Sequence, residues 1–226
     1  MKQAAEAKMT HLLGGLPVRL HFRNDLHLIR KVWHAAMGLL IVFIYMGGIS
    51  KGSAIFILAS FLGLDLFLET LRLRSPVWNE KMVRFWKHIL RAHEAHQMST
   101  VPHYLASVIL AILIFPRPVA TLSILFLACG DPIASLFGIL YGHHGPRFES
   151  GKTWIGTAAG IVTCTLLSLI FLSSFSISYP TYWAVSLIGG LIGGTAELLP
   201  LDMDDNFTIP VASGFVLWLA FIVAGI

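Results

Sequence analysis

Residues 118–140 read PVATLSILFLACGDPIASLFGIL, an apolar stretch whose one charged side chain is Asp131. A helix of roughly 17–25 predominantly apolar residues crosses the hydrocarbon of a bilayer, so this stretch predicts a membrane span. The chain of 226 residues has the same character throughout, with 56% hydrophobic and 12% charged residues. Soluble proteins carry about 25% charged residues. The composition therefore excludes a soluble enzyme, a disordered tail and a secreted disulfide scaffold.

Similar apolar runs on both sides of this stretch predict about seven spans, and thus an all-α polytopic membrane bundle. The runs cover residues 32–49, 53–71, 102–116, 118–140, 154–173, 182–199 and 209–226. Residues 78–99 differ, because apolar and basic side chains alternate at helical spacing. That pattern predicts an amphipathic helix at the membrane interface. We expect one integral membrane domain over residues 1–226, with a juxtamembrane leader over residues 1–31.

The basic residues are distributed unevenly between the two predicted sides of the membrane. Of the 16 lysines and arginines, all but Lys51 and Arg117 fall on the side of the N-terminus. Positive residues concentrate in cytoplasmic loops. We therefore expect a cytoplasmic N-terminus, with the polar loops capable of chemistry on the same side.

Asp131 lies between Gly130 and Pro132 inside the fourth predicted span. An ionisable group in a span is costly and needs a reason. Proline removes a backbone donor and glycine loosens the helix, so we expect a broken helix that lines a cavity, where a carboxylate can hold a cation. The structural alternative is a protonated aspartate satisfied by a neighbouring helix.

Gly151, Lys152 and Thr153 precede the fifth predicted span. The free N–H groups and the dipole of a helix N-terminus favour phosphate, and Lys152 adds a point charge. The segment is not a P-loop, because one residue too many separates Gly145 from Gly151 and a membrane helix precedes it instead of a strand. The alternative is a positive anchor for the span.

An acidic segment follows the sixth predicted span. Residues 202–206 read DMDDN, and Glu197 precedes them by about one helical turn. Carboxylate and amide oxygens suit a hard cation, and Mg²⁺ commonly binds through one or two carboxylates together with substrate phosphates. The alternative is a helix cap from Asn206 or Thr208 before Pro210, and a cap is compatible with metal binding.

Two other charged groups are weaker candidates. Arg30, Lys31 and His34 are candidates for holding a phosphate at the first span, or they mark its cytoplasmic end. Glu69 and Arg72 are spaced as a helical ion pair, which we expect to extend to the membrane interface.

The order and spacing of these residues resemble the polyprenol kinase family. The family includes dolichol kinase, phytol kinase and CTP-dependent diacylglycerol kinase, and it is distantly similar to phosphatidate cytidylyltransferase. The resemblance extends over residues 30–215. It rests on Arg30-Lys31, His34, Arg91, Glu94, Gly130-Asp131-Pro132-Ile133-Ala134-Ser135, Gly138, Gly142, Gly151-Lys152-Thr153, Gly156, Glu197, Asp204-Asp205-Asn206 and Pro210.

The resemblance implies Mg²⁺-dependent transfer of the γ-phosphate of CTP to the hydroxyl of a polyprenol, a phytol-like prenol or diacylglycerol. Asp131, Asp204 and Asp205 would hold the metal, Lys152 the triphosphate, and Glu197 would be the base. Further nucleotide contacts are expected from Gly130, Gly151, Thr153, Gly156, Arg147 and Asn206. The expected partners are CTP, the lipid alcohol and the bilayer, without nucleic acid, and a homodimer stays open.

Two other functions stay open. A cytidylyltransferase would use the same nucleotide and metal, but its acceptor would be a lipid phosphate that attacks the α-phosphate. An ion-coupled transporter also uses broken helices with acidic residues at mid-membrane, but it predicts paired breaks in two halves. The sequence has one such break, at Gly130-Asp131-Pro132.

Overall fold

The computed structural model describes residues 26–199 and 203–226. In these ranges the chain forms nine α-helices: α1 (Leu28–Met46), α2 (Lys51–Arg74), α3 (Pro76–Trp86), α4 (Val101–Ile114), α5 (Arg117–Leu125), α6 (Asp131–Tyr141), α7 (Trp154–Leu172), α8 (Tyr179–Thr195) and α9 (Asp205–Ala224). Phe126–Gly130 is π-helical, and short 3₁₀ turns occupy His93–Ala95, Gly142–His144 and Ala196–Leu198. The described ranges contain no β-strand, which confirms the all-α fold class. Most of the predicted leader lies outside them, as does Asp202.

Each of the seven predicted spans coincides with helix. Five helical stretches are long and apolar enough to cross a membrane, namely α1, α2, residues 117–144, α7 and α9. The third and sixth predicted spans correspond to α4 and α8, which have only 14 and 17 residues. The bundle is therefore polytopic, and its helices differ in length.

Short polar side chains determine where five of these helices begin. The side chains of Ser50, Ser75, Thr153, Ser178 and Asp204 accept backbone N–H groups at the starts of α2, α3, α7, α8 and α9. Such a cap satisfies one of the donors that a helix start leaves without an intrahelical partner. Two of the five caps, Thr153 and Asp204, lie beside residues predicted to be functional.

The stretch over residues 117–144 forms the centre of the bundle. More than half of its span (56%) is buried inside the protein, against 11% for α1 and 17% for α2. Residues 119–128 are all buried. The apolar side chains that α1 and α2 leave exposed therefore face the lipid, whereas the central stretch packs against protein.

The backbone at the predicted break forms a π-turn that continues directly into α6. The prediction that the helix is interrupted at Asp131 is therefore wrong. The backbone N–H of Asp131 donates to the carbonyl of Phe126, five residues earlier. In that register the Leu127 carbonyl would accept from Pro132, which has no N–H. His34 Nε2 lies 3.1 Å from this carbonyl oxygen, and because a carbonyl only accepts, the ring donates. A side chain of α1 thus replaces the missing backbone donor.

Small residues let α7 and α8 pack closely. A Cβ on Gly194 of α8 would collide with the backbone nitrogen of Ile161 of α7. Glycine at such a contact allows the two backbones to approach. The close approach also brings the residues before α7 near those after α8.

The amphipathic helix predicted over residues 78–99 ends at Trp86, so the prediction of helix for residues 87–99 is wrong. Beyond it, carbonyls that a continuing helix would need are used by side chains. The Ala95 carbonyl accepts from Arg72 Nη1 at 3.2 Å and from Asn79 Nδ2 at 2.9 Å. The chain after Trp86 therefore folds as turns around these donors.

The Glu69–Arg72 pair is confirmed as a contact but not as an interfacial one. Arg72 Nη2 lies 2.7 Å from Glu69 Oε2, and the Arg72 side chain is 2% exposed. The backbone N–H of Ser99 also donates to Glu69. The pair is thus a buried brace between α2 and the turns after α3.

Candidate active site

Lys152 lies between two carboxylates that are distant from it in sequence. Its Nζ donates to Glu197 Oε2 and to Asp205 Oδ2, both at 2.7 Å. Lys152 precedes α7, Glu197 lies in the turn after α8, and Asp205 is the first residue of α9. Thr157 Oγ1 donates to the other oxygen of Glu197 at 3.4 Å. Three separate segments therefore meet at one ammonium group.

The loop that carries Lys152 is held by contacts of its own. Gly151 has a φ of 79°, a left-handed conformation that glycine adopts without steric cost. Arg147 Nη1 donates to the Gly151 carbonyl at 3.0 Å. Phe148 stacks on Trp154 with ring centroids 4.8 Å apart. The exposed Arg147 side chain thus supports the loop through its own backbone contact.

Two glycines predicted to bind phosphate use their amides inside the protein. The Gly151 N–H donates to the Phe148 carbonyl, and the Gly156 N–H donates to Thr153 Oγ1 at 3.1 Å. A Cβ on Gly156 would lie 2.8 Å from the Ala134 carbonyl oxygen. These residues are thus explained by the turn, the helix cap and helix packing. A Cβ on Gly130 would likewise lie 2.6 Å from Cys164 Sγ.

Burial and charge act in opposite directions on Lys152. Burial by itself lowers the pKa of the ammonium, but the carboxylates of Glu197 and Asp205 outweigh it and hold the pKa above its usual value. For Glu197, burial raises the pKa of the carboxyl group, and the nearby ammonium opposes the rise. Lys152 is therefore charged at neutral pH, while Glu197 titrates closer to neutrality than an ordinary glutamate.

Asp131 adds a third acid to this site. Its carboxylate lies within electrostatic range of Lys152 and Glu197, and also of Lys31 on α1. The three carboxylates of Asp131, Glu197 and Asp205 outnumber the two ammonium groups near them, those of Lys152 and Lys31. An excess of carboxylate oxygens suits a hard cation.

Asp204 and Asn206 contact each other at the start of α9. Asp204 Oδ1 accepts the backbone N–H of Asn206 at 2.9 Å and the side-chain Nδ2 of Asn206 at 2.6 Å. The cap of α9 is therefore Asp204, whereas the sequence predicted Asn206 or Thr208. Within residues 26–199 and 203–226, no three His, Cys, Asp or Glu side chains are close enough to hold a metal ion by themselves. A cation here would need oxygens from the substrate as well.

A second ion pair joins α1 to the turns before α4. The guanidinium of Arg30 binds Glu94 through two hydrogen bonds of 2.7 and 3.0 Å, and it donates to Thr100 Oγ1 at 2.5 Å. Glu94 is fully buried and also accepts the Arg91 N–H at 2.7 Å. Burial alone would raise the pKa of Glu94, but Arg30 outweighs it and the pKa is lowered. Arg30 is thus engaged by protein groups.

Lys31 connects α1 to the central helix. Its Nζ donates to Ser135 Oγ on α6, and it lies within electrostatic range of Arg30, Arg91 and Lys152. The basic residues predicted from the first span therefore extend the charged site of Asp131.

The sequence did not identify the hydroxyl partners of these charged residues. Thr157, Ser135 and Thr100 contact Glu197, Lys31 and Arg30 in turn. Ser135 lies four residues after Asp131, and Thr157 lies four residues after Thr153. This spacing places each hydroxyl one turn further along the same helix face. That spacing was the available signal.

The fold and the site define a polytopic helical membrane protein with a charged site where α7 and α9 begin and α8 ends. No protein-family profile matches the sequence, and no solved structure matches it significantly. Curated proteins do match. The chain is 30% identical over 203 residues to CTP-dependent diacylglycerol kinase 1 of Eremothecium gossypii, covering 81% of this chain and 64% of that protein.

Two further relatives extend the similarity. The chain is 28% identical over 202 residues to CTP-dependent diacylglycerol kinase 1 of Saccharomyces cerevisiae, covering 81% of this chain and 70% of the relative. It is 29% identical over 146 residues to a probable chloroplastic phytol kinase of Triticum aestivum, covering 60% and 49%. The homologues of this chain are thus CTP-dependent diacylglycerol kinases and phytol kinases, which confirms the predicted resemblance. The chain spans about two thirds of the length of the two fungal relatives and about half of the wheat one.

Proposed function

We propose that this protein is a CTP-dependent lipid kinase that transfers the γ-phosphate of CTP to the hydroxyl of a membrane lipid. The observation that carries the proposal is the contact of Lys152 with Glu197 and Asp205, beside Asp131. These residues lie in a chain whose relatives bear the names of such kinases. Diacylglycerol and a prenol such as phytol are the two acceptor classes that those names supply.

In this proposal Lys152 binds the triphosphate. An ammonium group held between two acids can exchange one of them for a phosphate oxygen, because both partners are anionic. The amides of Gly151 and Gly156 are already bonded within the protein, so phosphate binding rests on the Lys152 side chain more than on the helix N-terminus. Arg91 and Lys31 provide further positive charge on the side of α1.

Glu197 is the proposed base. Burial raises the pKa of its carboxyl group, which brings it closer to the working pH that general bases favour. When a phosphate draws the ammonium of Lys152 away, Glu197 loses an opposing charge and its pKa rises further. The carboxylate then accepts the proton of the lipid hydroxyl, the hydroxyl oxygen bonds to the γ-phosphorus, and CDP leaves.

Mg²⁺ is the proposed metal. Asp131 and Asp205 are suited to hold it together with the phosphates of CTP, since Mg²⁺ commonly uses one or two carboxylates in this way. Asp204 is less suited, because its Oδ1 caps α9. The ion would neutralise charge on the phosphates during transfer.

The location of the site is proposed from charge. The basic residues predict that the N-terminus and the loops carrying Lys152 and Asp205 face the cytoplasm. CTP would then enter from the water phase and the lipid from the side of the bundle.

Labelled nucleotide tests the reaction class. Purified protein in detergent is given diacylglycerol or phytol with CTP labelled either at the γ- or at the α-phosphorus. We expect γ-label in the lipid product and release of CDP. A parallel assay supplies a lipid phosphate as the acceptor. Appearance of α-label in its lipid product, with release of pyrophosphate, would show a cytidylyltransferase and refute the kinase.

A further inference from the structure

A groove of about 440 Å³ lies between α2, α4 and the start of α9. Pockets that bind small ligands have volumes of about 300–1,000 Å³ and are mostly apolar. The side chains that define its character are Leu62, Leu66, His103, Ala106, Asp204 and Phe207. The groove is separate from the contacts of Lys152 described above.

The groove is apolar along most of its length and polar at one end. Leu62, Leu66 and Ala106 are apolar. The two polar side chains of the lining, His103 and Asp204, lie at the beginnings of α4 and α9, next to Met98, Pro102 and Met203. In the proposed topology four crossings separate those two beginnings, so they lie on the same side of the bundle. The polar end is therefore at one membrane surface, and the apolar part extends toward the hydrocarbon.

One wall of the groove borders the lipid. On α2, the neighbours Phe61, Leu64 and Phe67 are 60%, 55% and 64% exposed. In a membrane helix such side chains face acyl chains. Leu62 and Leu66 lie on the adjoining face, so a lipid can reach the groove sideways from the bilayer without passing through water.

The polar end of the groove adjoins the active site. Asp204 lines the groove, and the next residue, Asp205, binds Lys152. Consecutive Cα atoms are about 3.8 Å apart. One peptide bond thus connects the polar end of the groove to the residues proposed to bind the triphosphate.

The charge of the lining distinguishes between acceptor classes. Its described residues include no lysine or arginine, while Asp204 contributes a carboxylate. A lipid phosphate in the groove would meet this carboxylate and no cationic side chain of the lining, whereas phosphate recognition uses cationic partners. A neutral alcohol can instead donate a hydrogen bond to a carboxylate.

We propose that this groove binds the hydrophobic tail of a neutral lipid alcohol and directs its hydroxyl toward Asp204 and the Lys152 site. The proposal rests on the proposed kinase function for the identity of the alcohol. The binding site itself follows from the shape, polarity and position of the groove.

The test uses a diacylglycerol with a photoactivatable diazirine in one acyl chain, bound to the whole protein in detergent micelles. Leu62→Trp and Ala106→Trp fill the groove. Leu64→Trp is the matched control, because it introduces the same leucine-to-tryptophan change on the lipid-facing side of α2. We expect crosslinks on α2, α4 or α9 at the groove in the wild type and in Leu64→Trp. The two filling variants should lose most of the label and show a KM for the lipid raised about tenfold, with the KM for CTP unchanged.

A widening variant covers the case in which tryptophan disturbs folding. Leu62→Ala enlarges the groove, and we expect it to shift acceptor preference toward bulkier chains while the elution profile on size exclusion stays that of the wild type. Crosslinks outside the groove, or lipid KM values equal in Leu62→Trp, Ala106→Trp and Leu64→Trp, would overturn the proposal. Equal competition by phosphatidylcholine would do so as well, since the site would then hold ordinary bilayer lipid.

The two proposals can fail separately. If no lipid alcohol is phosphorylated but the groove is labelled and the label is lost in Leu62→Trp, the groove stands and the kinase function falls. If phosphorylation occurs while the filling variants behave as Leu64→Trp does, the kinase stands and the groove falls.

Discussion

Lys152 Nζ lies 2.7 Å from Glu197 Oε2, although 45 residues separate them in the chain. The contact closes the gap between the loop before α7 and the turn after α8, and Asp205 completes it from α9. With the Glu197 side chain only 8% exposed, its negative charge depends on Lys152 for compensation. The same ammonium is the proposed ligand of the triphosphate.

Replacing Lys152 by alanine should therefore affect activity more than folding. We expect a loss of about 10²-fold or more in kcat/KM, because an electrostatic ligand of the transferred phosphate is removed. The site is partly open to water, so stability should fall moderately. Phosphorylation kinetics and thermal unfolding in detergent measure the two effects. Lys81→Ala, on the exposed face of α3, is the matched control and should leave both unchanged. Equal activity in the two variants would contradict the role of Lys152.

The pH profile tests Glu197 as the base. A base must be deprotonated, and burial raises the pKa of Glu197 above the usual 4.5. Activity should therefore fall as pH decreases, beginning at a higher pH than an ordinary carboxyl group would cause. Glu197→Gln should lower kcat by about 10²–10⁴-fold and abolish this acidic limb, with the KM for CTP little changed. An acidic limb that persists in the variant would assign it to another group.

The membrane spans could be predicted because hydrophobic length is a local property of the sequence. The cap of α9 and the end of α3 were predicted wrongly, since Asp204, Asn206 and Thr208 are all residue types that cap helices and the turns after Trp86 depend on contacts with Arg72 and Asn79. Lys152, Glu197 and Asp205 could be proposed because charges next to apolar spans are conspicuous. The partner of Arg30 could not be identified, since Glu94 is 64 residues away and many other acids were equally plausible. Nor could the π-turn be predicted at Asp131. It depends on a hydrogen bond from His34 on another helix, and the sequence indicated only that proline would disturb the backbone.

The Arg30–Glu94 pair should contribute to stability in a pH-dependent way. Because the folded-state pKa of Glu94 lies below its usual value, this contribution is complete above about pH 4.5 and is lost as pH falls through the lower folded-state pKa. Arg30→Ala removes the guanidinium that binds the buried Glu94 carboxylate and leaves it with Arg91, so the substitution should cost up to about 3–5 kcal/mol at neutral pH. Thermal unfolding at several pH values measures both effects.

The exposed Arg84–Glu80 pair of α3 supplies the control for that experiment. Its side chains are 61% and 47% exposed, and Arg84→Ala should change stability by less than about 0.5 kcal/mol. Similar losses in Arg30→Ala and Arg84→Ala would mean that burial does not strengthen the Arg30 pair.

Topology can be tested by cysteine accessibility in intact cells. We expect cysteines introduced at Lys51 and Arg117 to react with a membrane-impermeant reagent, and cysteines at Lys81 and Arg147 to react only after permeabilisation. The reason is the concentration of basic residues on one side. The native Cys129 and Cys164 lie within apolar helices, and the unmodified protein serves as the background. Labelling at Arg147 without permeabilisation would reverse the proposed orientation.

Asp131 connects the central helix to the proposed metal. If it holds Mg²⁺ together with Asp205 and the phosphates of CTP, chelation should abolish phosphorylation and added Mg²⁺ should restore it. Asp131→Asn retains the shape of the side chain but removes its charge. The variant should therefore need about tenfold more Mg²⁺ for half-maximal activity and lose about 10²-fold in kcat.

A structural role of Asp131 would give a different result. Asp131 is the first residue of α6 and directly follows the π-turn. If Asp131→Asn disturbs this turn, the variant should unfold at a lower temperature whether or not Mg²⁺ is present. Unchanged unfolding together with a shifted Mg²⁺ titration supports the metal. The opposite pattern, a lower unfolding temperature with an unchanged Mg²⁺ titration, would make Asp131 part of the helix packing and leave Asp205 as the remaining carboxylate for the ion.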